Sequence, residues 1–247
     1  MEIFLTSVFG GCKKIDGVWQ PTVIDDQNGL LTQLKEGIKN RKNFVYVASN
    51  PKGFLKTDSM AQLAYDSFKM SGIEFENMVV IDDRPKEKAK ELVESADFIM
   101  LTGGHVPTQN AFLQEMNFAE ILKGYKGVIL GQSAGSMNMA KKVYNYPEDA
   151  DEIDDPKFLQ GLGLTKISIL PHFDLHEEVD GIGLMTEFFK KDSINHQLVA
   201  LIDGSHIRIK CEKPEIFGEA YLFDGGEMSK VCEKGNSCKV SDLILCK

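Results

Sequence analysis

Segment 131–135 reads Gly-Gln-Ser-Ala-Gly, the G-x-S-x-G pattern of a nucleophile elbow with Ser133 at its apex. In such an elbow the serine occupies a strained strand-to-helix turn, and the flanking glycines leave its Oγ clear to attack a carbonyl carbon. The following helix presents free N–H groups and its positive dipole end to the negative charge that develops. The pattern predicts a serine nucleophile for acyl transfer. An ordinary serine in a tight glycine turn is the alternative interpretation.

Two further segments place chemical groups at the ends of predicted strands. The predicted strand 166–173 carries His172 near its end, and the predicted strand 198–202 is followed by Asp203. Serine, histidine and aspartate on strand ends at one edge of a single sheet have the geometry that a catalytic triad needs. We therefore expect the three side chains to meet there, with a structural role for His172 as the alternative.

A glycine pair follows the predicted buried strand 97–101. At the carboxyl end of a strand in an open parallel sheet, such a pair brings backbone amides close to a ligand. Gly103 and Gly104 are then one half of an oxyanion hole, and the amide of Ala134 is the other half. The alternative is a tight turn between strand and helix.

The elements that must position these residues alternate between strand and helix. We predict strands at 3–8, 44–48, 78–81, 97–101, 127–131, 166–173 and 198–202. We predict helices at 30–38, 57–72, 86–95, 107–122, 137–142 and 183–191. The segments 207–210, 219–223 and 229–233 alternate and are separated by Gly-rich turns, which indicates antiparallel hairpins. This pattern predicts an α/β fold with a mostly parallel sheet, organised as a single domain over residues 1–247.

The composition is that of an ordinary soluble globular protein. Of the 247 residues, 43% are hydrophobic and 26% are charged, and no apolar run is long enough to span a membrane. The formal charge of −9 and the pI near 5.1 argue against a concentrated basic face, so we expect no nucleic-acid partner. The N-terminus lacks the regions of a signal peptide, and we expect a cytoplasmic protein.

Neither the cysteines nor the acidic residues form a recognisable metal site. The five cysteines include no C-x-x-C pair, which favours reduced thiols over a disulfide framework or a zinc site. The acidic stretch 144–156 lacks the glycine and the closing glutamate of a calcium loop. We interpret it as a solvated loop.

The order of these segments resembles the peptidase E (aspartyl dipeptidase) and cyanophycinase family of serine peptidases. The elbow 131–135 and the Pro-His-Phe segment 171–173 are the most specific parts of the resemblance, and the pairs 103–104 and 203–204 complete it. The resemblance covers most of the chain. It implies a three-layer α/β/α fold related to class I glutamine amidotransferases, with no metal or organic cofactor.

The resemblance also implies roles for the site residues. Ser133 is the nucleophile, His172 is the general base, and the amides of Gly104 and Ala134 are the oxyanion donors. The implied activity is hydrolysis of a small peptide through an acyl-enzyme.

Two positions compete for the third member of the triad. We carry the acid onto Asp203, because a strand end fixes a carboxylate better than a loop does. The competing assignment places it on the loop after the elbow helix, at Glu148 or Asp149, which gives the chain order of α/β-hydrolases.

One departure concerns substrate specificity. Relatives that cleave after an N-terminal aspartate usually carry an arginine after the Pro-His-Phe histidine, where it binds the substrate carboxylate. No arginine lies between His172 and Asp203 in this chain, so an aspartyl preference is not predicted. Other candidates for lining the pocket are Lys190, Lys191, Arg208, His105 and His176.

Two other functions remain open at this level. One is a related acyl hydrolase, such as an esterase or a cyanophycinase-like β-aspartyl peptidase. The other is a catalytically silent member of the amidotransferase-like fold that binds a small molecule or a partner protein.

Overall fold

Strands and helices alternate over the first half of the chain, and strands predominate in the second half. The structure, a computed structural model, describes residues 1–147, 156–174, 178–179, 182–183 and 188–240. Its strands are β1 (Glu2–Thr6), β2 (Gly10–Ile15), β3 (Val18–Ile24), β4 (Asn43–Val47), β5 (Asn77–Ile81), β6 (Phe98–Leu101), β7 (Val128–Gln132), β8 (Lys142–Tyr144), β9 (Phe158–Gln160), β10 (Ser168–Leu170), β11 (Glu178–Val179), β12 (Ile182–Gly183), β13 (Leu198–Leu201), β14 (His206–Lys210), β15 (Lys213–Phe217), β16 (Ala220–Asp224), β17 (Glu227–Cys232) and β18 (Ser237–Lys239). Its helices are α1 (Leu30–Gly37), α2 (Phe54–Met70), α3 (Ala89–Glu94), α4 (Val106–Glu115), α5 (Phe118–Ile121), α6 (Ala134–Asn138) and α7 (Lys190–Asp192).

An eight-stranded sheet forms the centre of the fold, in the order β18-β15-β14-β1-β7-β6-β4-β5. Strands β1, β7, β6, β4 and β5 run parallel, whereas β14, β15 and β18 extend the β1 edge in antiparallel fashion. Parallel strands need cover on both faces, and β1, β6 and β7 are buried along nearly their whole length. The predicted mixed fold, with a mostly parallel sheet and antiparallel C-terminal strands, is confirmed.

Alternating side chains of the sheet contribute to two apolar cores. Phe4 and Phe44 face α1 and α2, where Phe68 of α2 packs against Phe44. Their neighbours Leu5 and Val45 face the opposite side, which is covered by α3, α4, α5 and α6. This period-two alternation puts helices on both faces, which is the predicted three-layer arrangement.

A second sheet, in the order β10-β13-β16-β17, packs on the face that carries α3 to α6. We predicted that the strands before His172 and Asp203 belong to the same sheet as the elbow strand, and this is wrong. Strand β7 lies in the large sheet, whereas β10 and β13 pair with each other in the second one. The position beside β1 is taken by β14 instead. Strands β10 and β13 are short buried apolar runs, and such a run does not indicate which sheet it joins.

The hairpin of β2 and β3 is an element for which no prediction was made. Its turn is Asp16-Gly17, and both residues have positive φ, as a type I′ turn requires. The hairpin packs along α2. An Asp-Gly pair between two runs with β-branched and aromatic residues was the sequence signal that could have identified it.

Three predicted helices differ from the structure. The helix predicted at 107–122 is divided into α4 and α5 at Asn117, which has a φ of 52°. The helix predicted at 137–142 ends at Asn138, because Lys142 begins β8 and pairs with β9. Of the helix predicted at 183–191, Gly183 lies in β12, α7 begins only at Lys190, and 184–187 lie outside the described residues. Within the described ranges, no helix is both long and apolar enough to cross a bilayer.

Candidate active site

The nucleophile elbow lies between β7 and α6. Ser133 has a φ of 49° and a ψ of −116°, a strained conformation for a residue with a side chain. Its backbone N–H donates a hydrogen bond of 2.9 Å to Thr6 O, which fixes the apex of the turn to the end of β1. Ser133 is partly exposed to solvent.

The two glycines of the elbow permit close packing around the turn. A Cβ atom at Gly131 would lie 2.6 Å from the backbone of Ser136, and one at Gly135 would overlap Leu101 O at the end of β6. The glycines thus allow α6 to lie directly against the sheet. Their observed contribution is this packing, whereas we had expected them chiefly to clear space around the serine Oγ.

Ser133, His172 and Asp203 form a continuous chain of hydrogen bonds. Ser133 Oγ lies 2.8 Å from His172 Nε2, and His172 Nδ1 lies 2.8 Å from Asp203 Oδ1. The hydrogen bond from His172 lowers the pKa of Asp203, and bonds from Ser7 and the Val8 backbone add to this effect against the opposing effect of burial. An ionised Asp203 favours the tautomer in which Nδ1 carries the proton and Nε2 is free to accept one.

His172 is held by its backbone as well as by its side chain. Its φ of 55° lies in the left-handed region, and its N–H donates a hydrogen bond of 2.7 Å to Ser7 Oγ. The next residue, Phe173, donates its N–H to Leu201 O and packs among buried aromatic rings. These contacts turn the imidazole away from the second sheet and toward the elbow.

Ser7 is a site residue that the sequence analysis did not identify. It is fully buried at the end of β1, and its hydroxyl donates a hydrogen bond of 2.5 Å to Asp203 Oδ1. Since it also accepts the His172 N–H, one hydroxyl contacts both His172 and Asp203. No pattern in the sequence marks a serine that directly follows an ordinary strand.

The turn that carries Asp203 is fixed to the large sheet. Gly204 N–H donates a hydrogen bond of 2.8 Å to Val8 O, and Asn28 Nδ2 donates one of 2.9 Å to Gly204 O. Asp203 is therefore held by hydrogen bonds at the N–H and C=O of the residue that follows it, although it comes from the second sheet.

The glycine pair after β6 lies beside the nucleophile. A Cβ atom at Gly103 would lie 3.3 Å from Ser133 Cβ, and one at Gly104 would overlap the Ser49 side chain. Gly104 has a φ of 150°, within the range that favours glycine. Ala134 is buried at the first position of α6. The glycine pair that follows β6 thus begins beside Ser133, and Ala134 directly follows Ser133 at the start of α6.

A cleft with a volume of about 450 Å³ opens beside the glycine pair, and His105 lines it. His105 is the N-cap residue of α4, and its Nδ1 lies 2.7 Å from Thr108 Oγ1. The structure therefore places His105 near the candidate site but outside the hydrogen-bond chain of the triad.

Comparison with known proteins identifies the family of this chain. The sequence model of peptidase family S51 matches residues 24–217, which is most of the chain. The chain belongs to peptidase family S51. This membership confirms the predicted family and makes the protein a serine peptidase.

A solved structure resembles this S51 peptidase along nearly its full length. It is that of a candidate peptidase E from Listeria monocytogenes EGD-e, with a TM-score of 0.58, 14% sequence identity, and coverage of 94% of this chain and 98% of that chain. At this level of identity the match shows a shared fold. No curated protein matches the sequence.

The other predicted pocket residues of this S51 peptidase lie elsewhere or outside the described ranges. Arg208 Nε donates to Glu2 Oε1 at 2.5 Å, at the opposite end of β1 from Ser7. Lys190 and Lys191 lie in α7 and do not line the cleft beside the glycine pair. The residues that lie outside the described ranges are His176, Glu148 and Asp149.

The cysteines and carboxylates of the described residues do not assemble a metal site. Cys12, Cys211, Cys232 and Cys238 are free thiols, while Cys246 lies outside the described ranges. No group of three or more histidine, cysteine, aspartate or glutamate residues with metal-binding geometry occurs within the part of the chain that the structure describes.

Proposed function

We propose that this S51 peptidase hydrolyses short peptides through a Ser133-His172-Asp203 triad and an acyl-enzyme intermediate. The single observation that carries the proposal is the hydrogen-bond chain from Ser133 Oγ through the His172 imidazole to Asp203, with 2.8 Å at each step. Nucleophile, base and orienting acid within hydrogen-bond reach of one another are the arrangement that activates a serine.

In the first half of the reaction, Ser133 Oγ attacks the peptide carbonyl carbon while its proton passes to His172 Nε2. The resulting tetrahedral intermediate collapses when the C–N bond breaks, and His172 returns the proton to the leaving amine. A water molecule then attacks the acyl-enzyme carbonyl, again giving its proton to His172. When the ester C–O bond breaks, His172 gives this proton to Ser133 Oγ, which releases the acid product and restores the free serine.

The negative oxygen of each tetrahedral intermediate lies between the amides of Gly104 and Ala134. Ala134 directly follows Ser133, Gly104 follows the Gly103 that lies against Ser133, and α6 adds the positive end of its dipole. Loss of one such donor costs about a hundredfold to a thousandfold in kcat in a well-studied serine protease.

Asp203 is the acid in this proposal, in preference to Glu148 or Asp149. Its carboxylate accepts hydrogen bonds from His172 and from the buried hydroxyl of Ser7. Two donors on one oxygen, together with the anchored turn at Gly204, hold the acid in the orientation that the imidazole requires.

The experiment is cleavage of a dipeptide library by the purified protein, with Ser133→Ala as the blank. We expect cleavage by the wild type and a loss on the order of a millionfold in kcat for the variant. A fluorophosphonate probe should label the wild type and not Ser133→Ala, since only an activated serine reacts. Full peptidase activity in Ser133→Ala would contradict the mechanism. Labelling without peptide cleavage, but with cleavage of simple esters, would favour an esterase.

A further inference from the structure

The cleft beside the glycine pair has one apolar wall. Trp19 of the β2–β3 hairpin, Tyr46 of β4 and Met60 of α2 line it, and Gly103 and Gly104 form the end nearest the nucleophile. Trp19 is half exposed to solvent, although its indole ring has a large apolar surface whose burial is energetically favourable. This wall is therefore a surface that an apolar group could cover.

A small pocket of about 40 Å³ continues this wall toward the core. It shares Tyr46, Met60 and Gln132 with the cleft, and its other lining side chains include Phe9 and Leu63. An apolar side chain that enters the cleft beside Gly103 thus finds further apolar contacts at its tip. Sites for small ligands are commonly built in this way, with apolar walls and few polar groups.

The charges around the cleft are positive. No aspartate or glutamate occurs among its lining residues, and Lys56 forms no ion pair within the described part of the chain. The nearby Asp82 and Asp83 are hydrogen-bonded to Arg84 and Lys86 respectively. An anionic group in the cleft therefore meets Lys56 and no opposing carboxylate on the cleft wall.

The backbone adds to this positive character. Gly53 and His105, the N-cap residues of α2 and α4, both line the cleft. Helix N-termini favour negative charge through free N–H groups and the helix dipole. Together with Lys56, they complement one carboxylate.

We propose that this cleft is the specificity pocket of the peptidase, and that it selects short peptides with a large apolar or aromatic side chain beside the scissile bond and a free carboxylate. The side chain packs against Trp19, Tyr46 and Met60, and the carboxylate lies at Lys56. The proposal rests on the proposed function, because it takes Ser133 and Gly104 as the reacting centre. It assigns a specificity that differs from recognition of an acidic side chain.

Binding can be tested without catalysis, since Trp19 is the single tryptophan of the chain. In the Ser133→Ala protein, titration with uncleaved dipeptides should change the intrinsic fluorescence as the indole is covered. We expect dipeptides with Phe or Leu to bind at least about tenfold more tightly than matched dipeptides with Ala or Asp at the same position. Equal affinities, or tighter binding of the Asp peptide, would overturn the proposal.

A second test measures KM for two variants, one at Trp19 and a matched control on the same strand. Trp19→Ala should raise KM for Phe and Leu peptides by roughly tenfold and leave Ala peptides unchanged. Val18→Ala is the control, because Val18 is similarly exposed on the hairpin but does not line the cleft. Similar effects of the two substitutions would refute a specific role for Trp19.

The role of Lys56 is tested by pairing the variant with an altered substrate. Lys56→Gln should weaken binding of peptides with a free C-terminal carboxylate and leave the corresponding C-terminal amides unchanged. Equal loss for acids and amides would refute the role of Lys56. Fluorescence binding of the expected peptides without any cleavage by the wild type would refute the proposed function and leave the binding proposal intact.

Discussion

The hydroxyl of Ser7 lies 2.5 Å from Asp203 Oδ1, although 196 residues separate the two positions in the chain. Ser7 is fully buried, and its Oγ also accepts the backbone N–H of His172. In the proposed mechanism it is therefore a positioning residue, which fixes Asp203 and His172 relative to each other without contacting Ser133.

Replacing Ser7 by alanine should lower kcat by on the order of a hundredfold, because small displacements of catalytic groups carry losses of this size. KM should stay nearly constant, since Ser7 does not line the substrate cleft. The measurement is steady-state kinetics on a dipeptide substrate. Ser7→Thr, which keeps the hydroxyl, should recover part of the activity. An equally low kcat in Ser7→Thr and Ser7→Ala would speak against the hydrogen bonds as the cause.

Asp203→Asn should reduce kcat by about ten-thousandfold, the size of the corresponding change in a well-studied serine protease, because the amide favours the wrong imidazole tautomer. Asp203 is a carboxylate with a lowered pKa, so its contribution is present at neutral pH and lost only as acid protonates it. Glu148→Gln and Asp149→Asn serve as controls and should remain active. Near-normal turnover in Asp203→Asn would move the acid to another residue.

Gly135→Ala should destabilise the fold, because the added Cβ overlaps Leu101 O in the tightly packed contact between α6 and β6. Overpacking of this kind costs roughly 1–3 kcal/mol or more in the free energy of unfolding. Urea unfolding of the wild type and the variant measures this difference in the free energy of unfolding. Gly124→Ala is the control: Gly124 has open space around it, so its only cost is that of its positive φ of 86°, about 1 kcal/mol. Equal losses would show that the contact with Leu101 is unimportant.

His206 should make the protein less stable in mild acid. Burial lowers the pKa of His206 from 6.5 to about 3, and Nδ1 has no hydrogen-bond partner within the described residues. Below pH 6.5 the His206 imidazole therefore binds a proton in the unfolded chain but not in the folded protein. The free energy of unfolding should fall by roughly 1.4 kcal/mol per pH unit between 6.5 and 3 from this group, on top of other titrations.

The control for this prediction is His206→Gln, which keeps a polar partner for Gln33. Denaturation at several pH values should give a shallower decline in stability for the variant than for the wild type below pH 6.5. Parallel curves for the two proteins would exclude His206 as the source.

Local patterns were enough to select Ser133, His172 and Asp203, which the structure joins by hydrogen bonds, since each follows a short apolar run and has a glycine or proline within two residues. The central parallel sheet could also be predicted from the sequence, because its strands alternate with helices at regular intervals. These are features that a few consecutive residues determine.

Features that depend on distant pairing could not be predicted in the same way. Ser7 meets His172 and Asp203 only after two sheets have packed together, and no spacing along the chain encodes that contact. The same limit explains why β10 and β13 were assigned to the wrong sheet: their burial was clear, but their neighbours were not. The helix predicted at 137–142 failed because pairing of β8 with β9 overrides helix propensity.

The proposed triad is divided between two sheets, which has a mechanical consequence. An ångström of slippage at the seam between them would separate Ser133 Oγ from His172 Nε2 while leaving every strand intact. Side chains buried at that seam, such as Ile169 and Val199, are therefore expected to affect turnover without touching the substrate. A small molecule wedged among them would act as a non-competitive inhibitor, silencing this peptidase while its substrate cleft stayed open.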